Sequence, residues 1–179
     1  LKHWRIEREA GGLAWLHFDK AGESTNTLSA QAMLELSQAL DEFDREPPKG
    51  LVIRSGKSAG FIAGADIEEF TRLSTREEFT RLSREGQEML QRLDDFPKPV
   101  IAAINGACLG GGFELTLACD WRIATDHPKT QLGLPEVQIG LLPGAGGCQR
   151  LPRLIGLSAA LGIILPGKSE PGIKAFKLG

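Results

Sequence analysis

The chain has no tyrosine, two methionines, three histidines and three cysteines in 179 residues. Cys108, Cys119 and Cys148 are odd in number and form no Cys-x-x-Cys pair. That argues against a disulfide framework and against a zinc site, and leaves them as small buried or half-buried side chains. No other grouping suggests a metal. His3, His17 and His127 are the only candidates for a nucleophile's base: His17 reads as an outward strand residue, and His127, between Asp126 and Pro128, as a surface turn. Neither sign of charge dominates, with 21 Lys and Arg against 23 Asp and Glu, and no basic face carries interleaved aromatics, so nucleic acid is not an expected partner. No apolar run approaches the roughly 20 residues that span a bilayer. Leu1-Lys2-His3-Trp4-Arg5 also lacks a signal-peptide core, and the expectation is a soluble, cytoplasmic protein with no integral membrane segment.

Two phosphate-binding readings fail on register. Gly56-Lys57-Ser58 ends like a P-loop, but the glycine that motif needs would fall at Leu51, and Gly50 is one place too early. Gly144-x-Gly146 begins like a dinucleotide fingerprint, yet its third glycine would be Gln149, and no strand runs directly into it.

What is present suffices for one globular domain over residues 1–179: 41% hydrophobic and 25% charged residues can bury a core and solvate its outside. Ile6 and Leu13–Phe18 predict an opening hairpin turning at Gly11-Gly12. Ser29 caps a predicted helix with Met33, Leu36, Leu40 and Phe43 on one face, stopped by Pro47-Pro48. Leu51-Val52-Ile53 reads as a buried strand, and Arg54 to Asp66 as a loop of small residues through which a ligand can approach the backbone. Ser74-Thr75-Arg76-Glu77 has capping-box spacing ahead of a long helix carrying Phe79, Leu82, Met89, Leu93 and Phe96. Trp121–Ala124 predicts a strand, Gln131–Glu136 a short extended piece entering a loop, Leu151–Leu165 two short helices broken at Gly156, and Pro166–Gly172 a turn. Strands alternating with helices predict an α/β fold.

The stretch that carries chemistry follows the buried segment Val100–Ile104. Gly110-Gly111-Gly112 strips every side chain from a turn that opens a helix, so bare backbone N–H groups can face an electron-rich atom, with Glu114 in the first turn. An oxyanion hole with a carboxylate beside it has this composition. Close helix–strand packing has it too, with Glu114 favouring the helix dipole, and the residues alone leave both readings open.

Three blocks in order carry a resemblance. Phe61-Ile62-Ala63-Gly64-Ala65-Asp66-Ile67, Asn105 to Leu115, and Leu134 to Gly147 resemble the signature blocks of the crotonase superfamily of enoyl-CoA hydratases and isomerases. The likeness is greatest to the hydratase part of multifunctional fatty-acid oxidation proteins, covers nearly the whole chain, and is weakest beyond Leu165. The resemblance implies a spiral of repeated ββα units, truncated at the C-terminus. The helices that complete the acyl pocket and help subunits associate, and any dehydrogenase domain, would be missing. It implies backbone donors at Ala65 and Gly111 for a thioester oxygen. Glu114 would be the base orienting a water, Glu136 the acid protonating the α-carbon, and Gly144 would lie near that water. Ala63, Gly64, Asp66 and Ile67 would line coenzyme A, which enters as part of the acyl substrate; no tightly bound cofactor is implied. The implied activity is hydration of trans-2-enoyl-CoA in β-oxidation, with double-bond isomerisation as a second expectation. The partners implied are acyl-CoA and either further copies of the chain or a fatty-acid oxidation complex. A non-catalytic acyl-CoA-binding or assembly piece is the alternative, and a serine peptidase on the related caseinolytic-protease fold is disfavoured by the histidines. Cys148 stands where these relatives often have threonine.

Overall fold

Two strands and a helix, repeated, build the molecule; the first repeat keeps both strands in one sheet, and the next three each send their second strand into another. The computed structural model describes residues 1–179. The chain opens with β1 (Trp4–Arg8), β2 (Leu13–Phe18) and α1 (Ala30–Arg45), and continues with β3 (Gly50–Ser55), β4 (Gly60–Ile62), the short α2 (Ile67–Phe70) and α3 (Arg76–Asp94). The third repeat is β5 (Val100–Ile104), β6 (Ala107–Leu109) and α4 (Gly111–Leu117). The fourth is β7 (Trp121–Ala124), β8 (Gln131–Gly133), a 3-10 turn at Glu136–Ile139 and α5 (Gly147–Ile155). Then come α6 (Leu157–Ile164), β9 (Ser169–Pro171) and α7 (Gly172–Leu178).

The larger sheet has the order β1-β2-β3-β5-β7, antiparallel at the β1–β2 hairpin and parallel beyond it. The smaller has the order β4-β6-β8-β9, with only β9 antiparallel. Period-two alternation puts Ala14, Leu16 and Phe18 of β2, Leu51 and Ile53 of β3, and Val100, Ala102 and Ile104 of β5 on the buried face. Leu36, Leu40 and Phe43 of α1 and Leu90 and Leu93 of α3 join the same core. Each of the Val, Leu, Ile and Phe side chains contributes roughly 1.5–3 kcal/mol relative to exposure. Between the sheets the chain turns a corner at Gly106: φ is 60°, and a side-chain carbon there would lie 2.7 Å from the Ala59 carbonyl oxygen, so only glycine fits.

Four local expectations change. Gly60–Ile62, inside the predicted loop, is a strand because β6 pairs with it. Pro166–Gly172 is not merely a turn: Ser169–Pro171 adds to the β8 edge and α7 follows. The capping box sits one residue later, with Thr75 Oγ1 accepting from Glu78 N and Glu78 Oε2 accepting from Thr75 N, because Glu78 also takes Ser74 N. His17 does lie on the outer strand face but is only 7% exposed, flanked by Trp15 and with Nε2 3.1 Å from Glu7 Oε2. Burial and the charges of Arg5 and Arg54 lower its pKa.

Candidate active site

The first backbone donor is produced by bracketing. After β4 the chain passes Ala63 and turns at Gly64, where φ is 122°. Leu28 then clasps Ala65 on both sides: Leu28 N donates to Gly64 O at 2.8 Å, and Asp66 N donates to Leu28 O at 2.9 Å. Ala65's own N–H is left without a protein partner. Buried Asn26 fixes the clasp by donating from Nδ2 to Phe18 O, Ser55 Oγ and Phe61 O, while its backbone carbonyl accepts from Ala63 N. Asp66 caps α2 and accepts from Lys20 Nζ at 2.7 Å, and that ammonium holds its carboxyl below the usual range. Ile67, next on α2, is 55% exposed.

The second donor comes from the glycine triplet. Gly110 N is taken by Gly133 O at 2.9 Å, and its φ of 51° and ψ of −130° are closed to other residues. Gly111 N is the first, unpaired amide of α4. The helix can start here because Gly112 sits against β4, where an added carbon would lie 2.5 Å from Ile62 O. A carbon added at Gly111 would lie 3.6 Å from Ala65 N, so the two free amides are neighbours. Within the triplet, Gly110 and Gly112 are thus required by backbone angles and packing, and Gly111 between them presents the free amide.

Both glutamates reach this place from different elements. Glu114, one turn into α4, is 3% exposed, and its Oε1 accepts from Ala145 N at 2.9 Å and Gly147 N at 2.8 Å. Burial raises its pKa, against the lowering by those amides and by the Arg150 charge. Glu136 is not in an open loop: it begins the 3-10 turn after Pro135, half-buried, with Oε1 so placed that a carbon added at Gly110 would lie 3.2 Å from it. Its Oε2 is buried with no hydrogen-bond partner. Burial foremost, aided by repulsion from Glu114, pushes it up to about 7. Gly144 borders the Glu114 amides, its carbonyl held by Gln87 Nε2 and its N–H unpartnered.

The structure thus brings together Ala65, Gly111, Glu114 and Glu136, with Ala63 and Gly64 along the same strip and Gly144 beside Glu114. Asp66 is engaged by Lys20 and Glu68. Lys20, Asn26, Leu28, Ala145, Gly147 and Arg150 support the site, and spacing gives no sign of them, since their part is set by contacts across the fold. Gly56-Lys57-Ser58-Ala59-Gly60 has the spacing of a nucleophile elbow. Ser58, however, lies between two strands instead of at a strand-to-helix turn, and no histidine bonds it. No group of three or more His, Cys, Asp or Glu side chains is placed to hold a metal ion.

Two neighbouring free amides, one of them at a helix start, beside two carboxyls of raised pKa on a ββα spiral, define a family, and residues 8–179 match that of enoyl-CoA hydratase/isomerase. The chain belongs to this family. It is 52% identical over 169 residues to the fatty acid oxidation complex subunit alpha of Aliivibrio fischeri, covering 93% of this chain and 25% of that protein. To the same subunit of Vibrio campbellii it is 49% identical over 179 residues, 99% of this chain and 25% of that one. The chain therefore spans about a quarter of the length of these curated relatives. Among solved structures, an enoyl-CoA hydratase from Bacillus anthracis superposes with a TM-score of 0.90 at 32% identity, over 99% of this chain and 67% of that one. One from Thermoplasma volcanium gives 0.91 at 29%, over 100% and 70%. The α/β spiral of ββα units is thus the family's fold. No helix is long and apolar enough to cross a membrane.

Proposed function

We propose that the chain adds water across the double bond of trans-2-enoyl-CoA to give 3-hydroxyacyl-CoA, a step of fatty-acid β-oxidation. The observation that carries this reading is the adjacency of two unpartnered amides, Ala65 N and Gly111 N, between Glu114 and Glu136. Attack on the β-carbon drives charge onto the thioester oxygen, and two fixed backbone donors accept that charge without reorganising; one such donor is worth about 3 kcal/mol. The positive end of α4 adds to them. Glu114, its Oε1 pinned by Ala145 and Gly147, takes the proton of the attacking water with its other oxygen. Gly144 N is available to orient that water. Glu136, at about 7, carries a proton near neutral pH and delivers it to the α-carbon.

Glu136 also favours the isomerase reading, since an unpaired oxygen with a pKa near neutrality can remove a proton from one carbon and return it to another. Ala63, Gly64, Asp66 and Ile67 are the residues proposed to line coenzyme A. The curated relatives are subunits of a fatty acid oxidation complex, which supports assembly of this chain into such a complex or with its own copies. Leu157, Leu165, Ile173 and Phe176, all more than half exposed on or beside α6 and α7, supply apolar surface for that. A cytoplasmic place accords with the charged exterior and the lack of a long apolar helix.

The test is loss of enoyl-thioester absorbance when crotonyl-CoA is added, with Glu114→Gln and Glu136→Gln as controls. Turnover that both variants lack supports the reading. Binding of crotonyl-CoA without any absorbance loss leaves the acyl-CoA-binding alternative, and unchanged rates in both variants defeat the assigned roles.

A further inference from the structure

The two amides on Glu114 are themselves held from behind. The carbonyls of the loop that presents them face the other way, and each is tied by a side chain: Gln87 Nε2 of α3 donates to Gly144 O at 2.7 Å, and Arg150 Nη1 donates to Ala145 O at 3.3 Å. Arg150, near the start of α5, folds back over the loop so tightly that any side chain at Gly146, where φ is 119°, would overlap Nη1. The other side of the guanidinium is anchored on α3. Nε and Nη2 lie 3.3 and 3.1 Å from Asp94 Oδ2, and Nη2 lies 3.1 Å from Gln91 Oε1. Only 16% of the Arg150 side chain is exposed.

We propose that Arg150 is the positioning residue for Glu114: anchored on α3 by Asp94 and Gln91, it keeps the Ala145 and Gly147 amides on Oε1 and leaves Oε2 to the reacting water. This rests on the reading of Glu114 as the base. The guanidinium joins three things that must stay in register: a long helix, the loop carrying the amides, and the helix that the loop opens. A lysine in its place would supply the charge but lacks the planar fork that meets Asp94, Gln91 and the Ala145 carbonyl at once. The charge also bears on Glu114 directly. The titratable groups facing Glu114 are Glu136 from the 3-10 turn and Cys148 and Arg150 from α5, with Asp94 of α3 behind the guanidinium; Arg150 supplies the positive charge among them.

The experiment compares Arg150→Met and Arg150→Lys in crotonyl-CoA hydration across pH. In parallel, the Glu114 carboxyl, identified by its absence in Glu114→Gln, is titrated by carbon-13 NMR without substrate. Arg150→Met is expected to lose about tenfold or more in kcat with KM held within about twofold. Glu114 should also titrate about half a pH unit or more higher in this variant. Arg150→Lys should bring the titration back towards its original position while restoring kcat only in part. Wild-type kcat together with wild-type titration in Arg150→Met overturns the proposal, as does a lower melting temperature with both unchanged, which would make Arg150 a plain strut. Should Arg150→Met not fold, Asp94→Asn loosens the anchor and keeps the guanidinium. A smaller kcat loss at constant KM is then expected, and an unchanged kcat overturns the proposal. If the wild-type protein hydrates no enoyl-CoA, the proposed reaction falls while the Glu114 titration still decides the part played by Arg150.

Discussion

Glu114 and Glu136 are the same residue type at the edge of one cleft; burial raises the pKa of both, and the fold gives them unequal support. Glu114 is the more deeply buried, yet two backbone amides and a nearby guanidinium offset much of what burial costs its anion. Glu136 is less buried but receives only the help of its own backbone amide: Oε2 has no partner and Glu114 repels its charge. Depth alone therefore does not decide a carboxyl's state; the donors that accompany it do. This difference in support is what the proposed hydration uses, with Glu114 as the base and Glu136 as the acid.

Removing either carboxyl should have the largest effect, and the pH profile should show which half of the pair was lost. Glu114→Gln and Glu136→Gln are each expected to reduce kcat by roughly 10²- to 10⁴-fold. The residual activity of Glu136→Gln should lack the fall in rate that the wild type shows as pH rises through about 7. The residual activity of Glu114→Gln should keep that fall. Steady-state rates between pH 5 and 9 with crotonyl-CoA check both.

Next come substitutions that press on one carboxyl and spare the other. A methyl at Gly147 would lie 3.0 Å from Glu114 Oε1, Leu134 Cδ1 and Pro143 Cβ, so Gly147→Ala should displace the anchored oxygen. Overpacking of this kind costs about 1–3 kcal/mol of stability. Gly110→Ala presses on Glu136 at 3.2 Å and adds the strain of a positive φ, so it should destabilise at least as much. Urea midpoints give the stabilities, and the titrations of Glu114 and Glu136 show which one moved.

The unequal support of the two groups also predicts a stability trend. Glu136 titrates higher in the folded chain than in the unfolded one, where a glutamate lies near 4.5, so the native state binds the extra proton between 4.5 and about 7. Its contribution is intact below the unfolded value and is lost as pH rises through about 7. Glu136→Gln should abolish this part of the decline, seen as a smaller drop in the urea midpoint from pH 5 to pH 8. The smallest effect is expected from Cys148→Thr. The thiol is half-buried near both carboxylates and forms none of their hydrogen bonds, so kcat and the unfolding midpoint should change by no more than about twofold and about 0.5 kcal/mol.

Much of the fold is legible because its signals are local. Ser29 as cap, the Leu36–Leu40–Phe43 stripe, the Gly11-Gly12 hairpin and the break at Gly156 need only a few neighbouring residues to be read. The strands β4 and β9 are not legible, since three residues with no apolar alternation become strands only when β6 and β8 offer them edges. The capping box moved one place because both Ser74 and Thr75 precede a glutamate at the right interval, and the backbone angles of Thr75 chose between them. Alternation places His17 on the outer face but does not say what covers it; Trp15 and Glu7 close over it.

The amino-acid order by itself determined which groups are available: three bare glycines before an acidic helix start, a glycine–alanine step ahead of Asp66, and a glutamate locked behind proline. It fixed these because backbone freedom and side-chain type belong to single residues. Only the tertiary structure decided that Leu28 would free the Ala65 amide, that Gly111 would stand beside it, and that the amides of Ala145 and Gly147 would go to Glu114 and none to Glu136. Those outcomes depend on distances between segments 30 or more residues apart, and such distances exist only once the sheets and helices have packed.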